Sequence, residues 1–265
     1  MQAFSGWRRR NLQTAIILPT LFALALTIAG GCLVIARLDE AHAQALNNAF
    51  TYETGEITLR IEERLKAHRQ VLRGARALFA ASEEVTRREW QNYVDALRLH
   101  ADYPGIQGMG FAVPVPASQL VSHEQRIRSE GFPDYRVSPP GHRAEYTAII
   151  FLEPFDWRNQ RAFGYDMYSE PVRREAMERA RRLGTPALSG KVRLVQETST
   201  DTQAGVLLYL PVFRHGAPLV TPAQQERAFL GWVYCPFRMR DLITGTLGES
   251  APRIRLRIYD GHDEN

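Results

Sequence analysis

The longest apolar stretch of the chain lies near the N-terminus, where no charged residue occurs from Asn11 to Ala36. Within it, the segment from Ala15 to Val34 consists mainly of Ile, Leu, Ala and Phe. A helix that crosses the hydrocarbon core of a bilayer needs about 20 apolar residues. The pattern therefore predicts a transmembrane helix over residues 11–36.

Three arginines at positions 8–10 precede this apolar segment. Positive charges favour the cytoplasmic side, so we expect residues 1–10 in the cytoplasm and the chain beyond Arg37 in the extracytoplasmic space or periplasm of an inner (plasma) membrane. A cleaved signal peptide is the alternative, with a cleavage-like site at 41–43. We prefer the uncleaved anchor, because the apolar region of a signal peptide has only about 7–15 residues.

An amphipathic pattern follows the apolar segment. Its apolar residues recur at steps of four or seven, the spacing of one helical face: Leu46, Phe50, Ile57, Ile61, Leu65 and Leu72. We therefore predict a stalk helix over residues 37–80. Its apolar face could pair with a second copy, giving a homodimer, or pack on its own domain. We expect His68 to be solvated or interfacial, because no second ligand stands at metal-binding spacing.

Residues 81–260 carry the patterns of a folded domain. Thr86, with Glu89 three residues later, predicts a capping box that opens a helix. The residues of this helix that should face inward are Trp90, Tyr93, Val94 and Leu97. A strand is predicted over 106–113 and a helix over 117–130.

Further strands are predicted from β-prone runs at 146–152, 206–213 and 229–234. Alternating charged and apolar residues predict a final strand at 253–259. Single helices separate several of these strands. This arrangement indicates an α+β domain built on a mostly antiparallel sheet.

One acidic residue stands among apolar neighbours where a predicted strand meets a predicted helix. The junction has a strand-like run, an N-cap, a first-turn proline and a terminating glycine: Phe163–Tyr165, Ser169, Pro171 and Gly184. Asp166 lies at this junction. Its carboxylate could bind a ligand, or it could cap a turn or pair with Arg173 or Arg174.

Several residues could line an apolar pocket near this carboxylate if their strands adjoin: Phe151, Tyr165, Leu207, Tyr209 and Trp232. Small-molecule sites are typically apolar, with a few polar groups that orient the ligand. Aromatic residues on strands are also common in ordinary cores. The sequence alone leaves both interpretations open.

Composition and motifs restrict the function classes. The 265 residues are 45% hydrophobic and 23% charged, which indicates a folded protein. The net charge of +4 is small, and the basic residues are scattered, so nucleic-acid binding is not indicated. The sequence has no His-Glu-x-x-His, P-loop or Gly-x-Ser-x-Gly motif. We therefore predict no catalytic residue, metal site or cofactor for this segment.

Five blocks, in their order and spacing, carry a family resemblance: Tyr103–Ala112, Phe163–Met177, Ala187–Val192, Gly205–Phe213 and Gly231–Met239. In these blocks the chain resembles the CHASE domain, the extracellular sensor domain of histidine kinases and nucleotide cyclases, including plant cytokinin receptors. The resemblance implies a PAS-like sensor domain at 81–260. Residues 261–265 then look like the truncated end of a larger receptor.

The resemblance also implies a ligand and its contacts. In the cytokinin receptors an Asp-Met-Ser segment binds a planar nitrogenous ligand through its Asp, and Asp166 matches that position although Tyr168 interrupts the motif. Leu188 matches a position that packs against the ligand, unless it is simply a core residue. Thr198 matches a second polar contact, but it lies in a loop where a gap would shift the register and a solvated role is the alternative.

The intact receptor is then expected to be a membrane-bound signal-transduction protein. Its output would be a histidine kinase of a two-component system, with a diguanylate cyclase as the alternative. The rival function is an interaction module that binds a partner protein and has no small-molecule pocket.

Overall fold

The computed structural model describes residues 3–199, 201–248 and 254–261, with side chains described from residue 18 onward. The chain divides into two compact units at the boundary between Ile57 and Thr58. Helix α1 (Ala3–Ala81) begins in the first unit and ends in the second. Residues 1 and 2 of the predicted cytoplasmic segment lie outside the described residues.

The described part of the first unit is helical. An 18-residue window of α1 has a mean hydropathy of 2.2, and α1 is the one helix among the described residues that is long and apolar enough to cross a membrane. Its large apolar side chains from Leu18 to Leu38 are exposed, as a lipid-facing helix requires. This length and composition are compatible with the predicted membrane span, and a signal sequence would share them.

The predicted stalk residues 37–80 are helical throughout, because α1 continues through Gly55 and Gly74 and ends at Ala81. A Cβ atom added at Gly74 would lie 2.5 Å from the hydroxyl of Tyr93. Glycine at this position therefore permits the close approach of α1 to the next helix.

The second unit continues with six short helices and five strands in its described residues. The helices are α2 (Arg87–Leu97), α3 (Leu99–Asp102), α4 (Leu120–Ser129), α5 (Pro171–Leu183), α6 (Pro222–Ala228) and α7 (Met239–Leu247). The strands are β1 (Met109–Pro116), β2 (Glu145–Glu153), β3 (Ala187–Leu188), β4 (Gly205–Phe213) and β5 (Phe229–Arg238). They form one sheet in the order β2-β1-β5-β4-β3, and every neighbouring pair is antiparallel. This confirms the predicted α+β class.

Side chains that alternate along the central strands form two cores, one on each face of the sheet. Leu208 and Leu210 of β4 belong to the core that includes Trp90 of α2, which we call the α2-side core. Leu207 and Tyr209 belong to the core that includes Ala176, Met177 and Ala180 of α5, which we call the α5-side core. Each core removes large apolar side chains from water, at about 25 cal/mol of stabilisation per Å² of apolar surface.

Local capping signals in the sequence are confirmed at two helices. The backbone N–H of Glu89 donates to the Thr86 hydroxyl, and the Thr86 backbone N–H donates to the Glu89 carboxylate at 2.8 Å, which completes the capping box of α2. Trp90 and Val94 face inward as predicted. Gly184 ends α5 with a φ of 66°, a conformation that glycine adopts without strain.

The predicted N-cap of α5 is wrong by one residue. Glu170 caps the helix, because its carboxylate accepts the backbone N–H groups of Val172 at 3.0 Å and Arg173 at 2.9 Å. Ser169 ends a 3-10 turn over Met167–Ser169, and its hydroxyl donates to the carbonyl oxygen of Asp166. The hydroxyl of Ser169 therefore bonds within the preceding 3-10 turn and does not cap α5.

Two predicted strands are wrong. Phe163–Tyr165 follows a 3-10 turn over Asn159–Ala162 and makes one isolated bridge, between Tyr165 and Ser138, while the next residue, Asp166, makes another with Ala148 of β2. Residues 254–259 of the predicted final strand are not in a strand, and position 253 lies outside the described residues. Of the predicted end segment 261–265, only the first residue is described.

Candidate functional site

Asp166 is fully buried at the edge of the α5-side core. One carboxylate oxygen, Oδ1, accepts the backbone N–H of Thr147 at 2.8 Å, the hydroxyl of Thr147 at 3.2 Å and the backbone N–H of Tyr168 at 3.1 Å. The last of these bonds caps the 3-10 turn that follows. These contacts from β2 and from the turn fix the carboxylate in position, and turn capping is one of the two structural roles that the sequence left open.

The second oxygen of Asp166, Oδ2, has no hydrogen-bond partner among the described residues. The Nε atom of Arg143 lies 3.4 Å away as an ion-pair partner. Arg143 belongs to the loop before β2 and donates from Nη1 to the carbonyl oxygens of Pro139 and Gly141. The ion partner of Asp166 is therefore a loop arginine, and neither Arg173 nor Arg174 pairs with it as the sequence had suggested.

The structure brings Tyr165 and Tyr209 to the same side of the sheet as Asp166. Tyr165 is half-buried, and the guanidinium of Arg173 lies 4.9 Å from the centre of its ring. Tyr209 is fully buried, with its hydroxyl 3.5 Å from the sulfur of Met167. Leu207 and Trp232, the other predicted pocket residues from β4 and β5, lie in the same core.

Phe151 lies on the opposite face of the sheet. It packs in the α2-side core, with its ring centre 6.0 Å from those of Trp90 and Phe111. The pairing of β1 with β2 shifts by one residue just after Phe111 pairs with Phe151, and side chains alternate along a strand. Phe151 therefore cannot line one pocket with Tyr165 and Tyr209.

Leu188 and Thr198 lie at the rim of the α5 side. Leu188 is on the two-residue edge strand β3 and is 38% exposed, while its carbonyl oxygen accepts a hydrogen bond from Arg179. Thr198 is half-buried in the loop between β3 and β4, and its carbonyl oxygen accepts the hydroxyl of Thr202 at 2.7 Å. The preceding Glu197 forms an ion pair of 2.8 Å with Arg238, which anchors this loop to β5.

A buried arginine that the sequence did not point to as a site residue lies on the inner face of α5. Arg173 is only 3% exposed. Its Nη2 donates to the carbonyl oxygen of Arg193 at 2.8 Å, and its Nη1 contacts the Met167 sulfur at 3.5 Å. The signal was present in the sequence, because Arg173 precedes Ala176 and Met177 by three and four residues and therefore lies on the buried face of the helix.

Tyr234 of β5 is a second missed residue. It is fully buried, and its hydroxyl has no partner in the described part of the chain. Burial raises the pKa of Tyr234 and of Tyr209 above the ordinary range of tyrosine, and the positive charge of Arg173 partly opposes the effect in both. Both hydroxyls therefore keep their protons at neutral pH and can donate hydrogen bonds.

Asp166 does not line any of four cavities that open on the second unit. The largest of these four has a volume of about 610 Å³ and lies on the α2 side. Its lining includes aromatic and charged residues: Phe79, Phe111, Phe151, Arg87, Arg126 and Glu130. The guanidinium of Arg87 already has protein partners, because it donates to the carbonyl oxygen of Ile150 at 2.7 Å and pairs with Glu130 at 2.9 Å.

His68 is buried rather than solvated, which corrects one part of the sequence expectation. Its ring packs 4.8 Å from that of Phe237, and neither ring nitrogen has a hydrogen-bond partner in the residues described. Burial, with a smaller contribution from the charge of Arg64, lowers the pKa of His68 to about 4. Among the described residues, no group of three or more His, Cys, Asp or Glu could hold a metal ion.

Comparison with known protein families adds to this geometry. Residues 83–265, well over half of the chain, match the sequence model of the CHASE domain. No curated protein matches the chain. CHASE domains are extracellular sensor regions of histidine kinases and cyclases and are not themselves catalytic. The extent of the match shows that the chain belongs to the CHASE domain family.

Proposed function

We propose that this chain is the extracytoplasmic ligand-sensing region of a transmembrane receptor, and that a small molecule binds on the α5 side of the sheet at Asp166. The proposed ligand contacts are Asp166, Tyr165, Tyr209, Leu188 and Thr198. Phe151 stays a proposed contact only for a ligand in the cavity on the α2 side.

One observation carries the proposal, namely that oxygen Oδ2 of the buried Asp166 carboxylate accepts no hydrogen bond from the described residues and has only the long ion pair with Arg143. Leaving a buried acceptor without a hydrogen bond costs about 1–3 kcal/mol, and more when the group is charged. A ligand N–H donor would satisfy this oxygen, while the contacts to Oδ1 keep the carboxylate in place. A planar nitrogenous compound, such as a cytokinin-like base, offers such donors.

A ligand could reach Asp166 from the side of the loop that carries Arg143. It is the ion partner of Asp166 at 3.4 Å, yet its side chain keeps 23% of its surface exposed. A ligand cation or N–H donor could replace this long contact without disturbing the bonds to Oδ1. Movement of the Arg143 loop would accompany binding.

The membrane topology is also part of the proposal. We place residues 11–36 of α1 in the inner (plasma) membrane, residues 1–10 in the cytoplasm and the sensor domain outside. Leu46 and Phe50 are exposed on the stalk segment of α1, which supports pairing with a second copy as a homodimer. Ligand binding would bias the stalk only by its differential affinity for two arrangements of the sensor.

The output domain follows from the family by analogy. We propose a histidine kinase of a two-component system, with a diguanylate cyclase as the alternative. The five-stranded antiparallel sheet with a core on each face supports the PAS-like description of the sensor.

Thermal-shift screening of the full chain in detergent tests the proposal. The panel contains adenine-type cytokinins, aliphatic amines and amino acids, since a ligand that binds the folded state raises Tm by mass action. Asp166→Asn retains an acceptor for the bonds that Oδ1 makes but removes the charge. Asp156→Asn is the matched control, because Asp156 also accepts backbone N–H groups, from Arg158 and Asn159.

A compound that stabilises the wild type and the Asp156→Asn variant, but not the Asp166→Asn variant, supports the proposal. A compound that stabilises all three proteins equally would place the ligand elsewhere. If no compound acts, the rival interaction module gains support.

A further inference from the structure

Arg173 holds a buried positive charge whose donors are only partly satisfied, by the bond from Nη2 to the carbonyl oxygen of Arg193. Its Nε atom has no hydrogen-bond partner among the residues described. The nearest carboxylate oxygen is Oε2 of Glu170, at 3.7 Å, beyond hydrogen-bonding distance. Both oxygens of Glu170 already accept backbone N–H groups at the start of α5. The guanidinium is therefore only partly neutralised in a core where charges are costly.

Two tyrosine hydroxyls add further donors to the same interior region. The hydroxyl of Tyr209 reaches the sulfur of Met167 at 3.5 Å, the same sulfur that Nη1 of Arg173 contacts at 3.5 Å. The rings of Tyr209 and Tyr234 are 6.0 Å apart, and the hydroxyl of Tyr234 has no partner in the described structure. Gly110 leaves room for this hydroxyl, because a Cβ atom there would lie 2.5 Å from it.

Met167 is a poor acceptor for such strong donors. A thioether sulfur accepts hydrogen bonds weakly, and the unbranched methionine side chain changes rotamer easily. Arg173 and Tyr209 therefore point at a weakly accepting sulfur where an oxygen acceptor would bind them more strongly. Its side chain can be displaced without breaking a backbone hydrogen bond, because only its sulfur engages Arg173 and Tyr209.

We infer that Arg173, Tyr209 and Tyr234 form a binding site for a carboxylate group of the sensed ligand, which enters as the side chain of Met167 moves aside. Carboxylate oxygens bind the guanidinium fork of arginine and tyrosine hydroxyls together, whereas an amine would leave all of these donors unused. This inference rests on the proposed function, since it places the carboxylate in the same α5-side region as Asp166.

The test uses the full chain in detergent with sodium acetate, benzoate and succinate as probes. Acetamide and benzamide are the neutral controls, and sodium chloride keeps the ionic strength constant. The readouts are Tm and the Kd from titration calorimetry. We expect at least one carboxylate, and neither amide, to raise the Tm of the wild type.

Tyr234→Phe is the decisive variant, because it removes a hydroxyl that has no partner and so should leave the fold intact. We expect its Tm without probe to equal or exceed that of the wild type, and its Kd for the carboxylate to rise at least about tenfold. Arg173→Lys keeps the charge but loses the fork, and it should also weaken binding. Tyr93→Phe is the control on the other face, where the hydroxyl donates to the carbonyl oxygen of Val71.

The outcomes separate the inference from the proposed function. Carboxylate binding that is lost in the Tyr234→Phe variant and kept in the Tyr93→Phe variant supports the inference. Equal binding by wild type and Tyr234→Phe overturns it, as does the absence of any carboxylate effect. If carboxylates fail while an amine or base binds in an Asp166-dependent manner, the inference falls and the proposed function stands. If every compound fails, both lose their support.

Discussion

The buried histidine on the last part of α1 predicts acid-sensitive packing between this helix and the sensor sheet. His68 packs against Phe237 of β5, and its ring nitrogens lack hydrogen-bond partners within the described chain. Burial and the charge of Arg64 lower its pKa from 6.5 to about 4. The folded protein therefore favours the neutral ring, whereas the unfolded chain binds a proton near pH 6.5.

The sign of the effect follows from proton linkage. Between pH 6.5 and 4 the unfolded state binds more protons than the folded state, so the stabilising contribution is complete above pH 6.5 and is lost as the pH falls. With the two pKa values of His68, the free energy of unfolding should fall by about 2 kcal/mol from pH 7.5 to pH 5. This is a large share of the stability of a small domain.

The assay is urea unfolding of the full chain in detergent at pH 7.5 and pH 5, for the wild type and for His68→Phe. Phenylalanine retains an aromatic ring against Phe237 but cannot be protonated. The pH-dependent loss should be smaller in the variant by about 2 kcal/mol. His123, whose pKa burial also lowers to about 4, contributes equally to both proteins and cancels. An identical loss in the two proteins would show that protonation of His68 does not cause it.

Three further predictions concern packing, charge and capping. Gly110→Ala would place a Cβ atom 2.5 Å from both the ring carbon Cζ and the hydroxyl of Tyr234, so we expect a lower Tm by differential scanning fluorimetry. A second change, Tyr234→Phe, should not restore the Tm, because the ring itself still meets the new Cβ atom. An unchanged Tm of Gly110→Ala would contradict the clash. Arg238→Met would leave the buried carboxylate of Glu197 without its ion partner, which lies 2.8 Å away in the wild type. The free energy of unfolding in urea should fall by about 3–5 kcal/mol. A fall below about 1 kcal/mol would show that the pair is not buried in solution. Thr86→Ala removes one half of the capping box of α2 and should cost about 1 kcal/mol, with Thr86→Ser as the control that retains stability. An equal cost for both Thr86 variants would mean that the cap is not responsible.

Local patterns predicted much of the fold. The capping box at Thr86 and Glu89 involves residues three apart, so the sequence was sufficient to find it. The strands at β2, β4 and β5 were also found, because their apolar runs are long and bounded by turns. The short helices α6 and α7 were missed, since seven and nine residues carry little periodicity.

The candidate site depended on contacts that no local pattern contains. Asp166 is held by Thr147 and paired with Arg143, which lie about twenty residues earlier in the chain. The register shift between β1 and β2 sends Phe151 to the other face, and such a bulge leaves no simple sequence signal. The segment before Asp166 resembles a strand in composition, but Tyr165 bridges only to the loop residue Ser138, and a single bridge joins Asp166 to Ala148 of β2.

We propose that Asp166 contacts a small ligand. The most direct test is titration calorimetry on the full chain with the amine or base that gives the largest thermal shift in the screen, comparing wild type, Asp166→Asn and Asp156→Asn. Loss of a charge-assisted hydrogen bond should raise the Kd of Asp166→Asn at least about tenfold. We predict that increase, with an unchanged Kd for Asp156→Asn. Equal Kd values in all three proteins, or a panel without any binder, would contradict the claim.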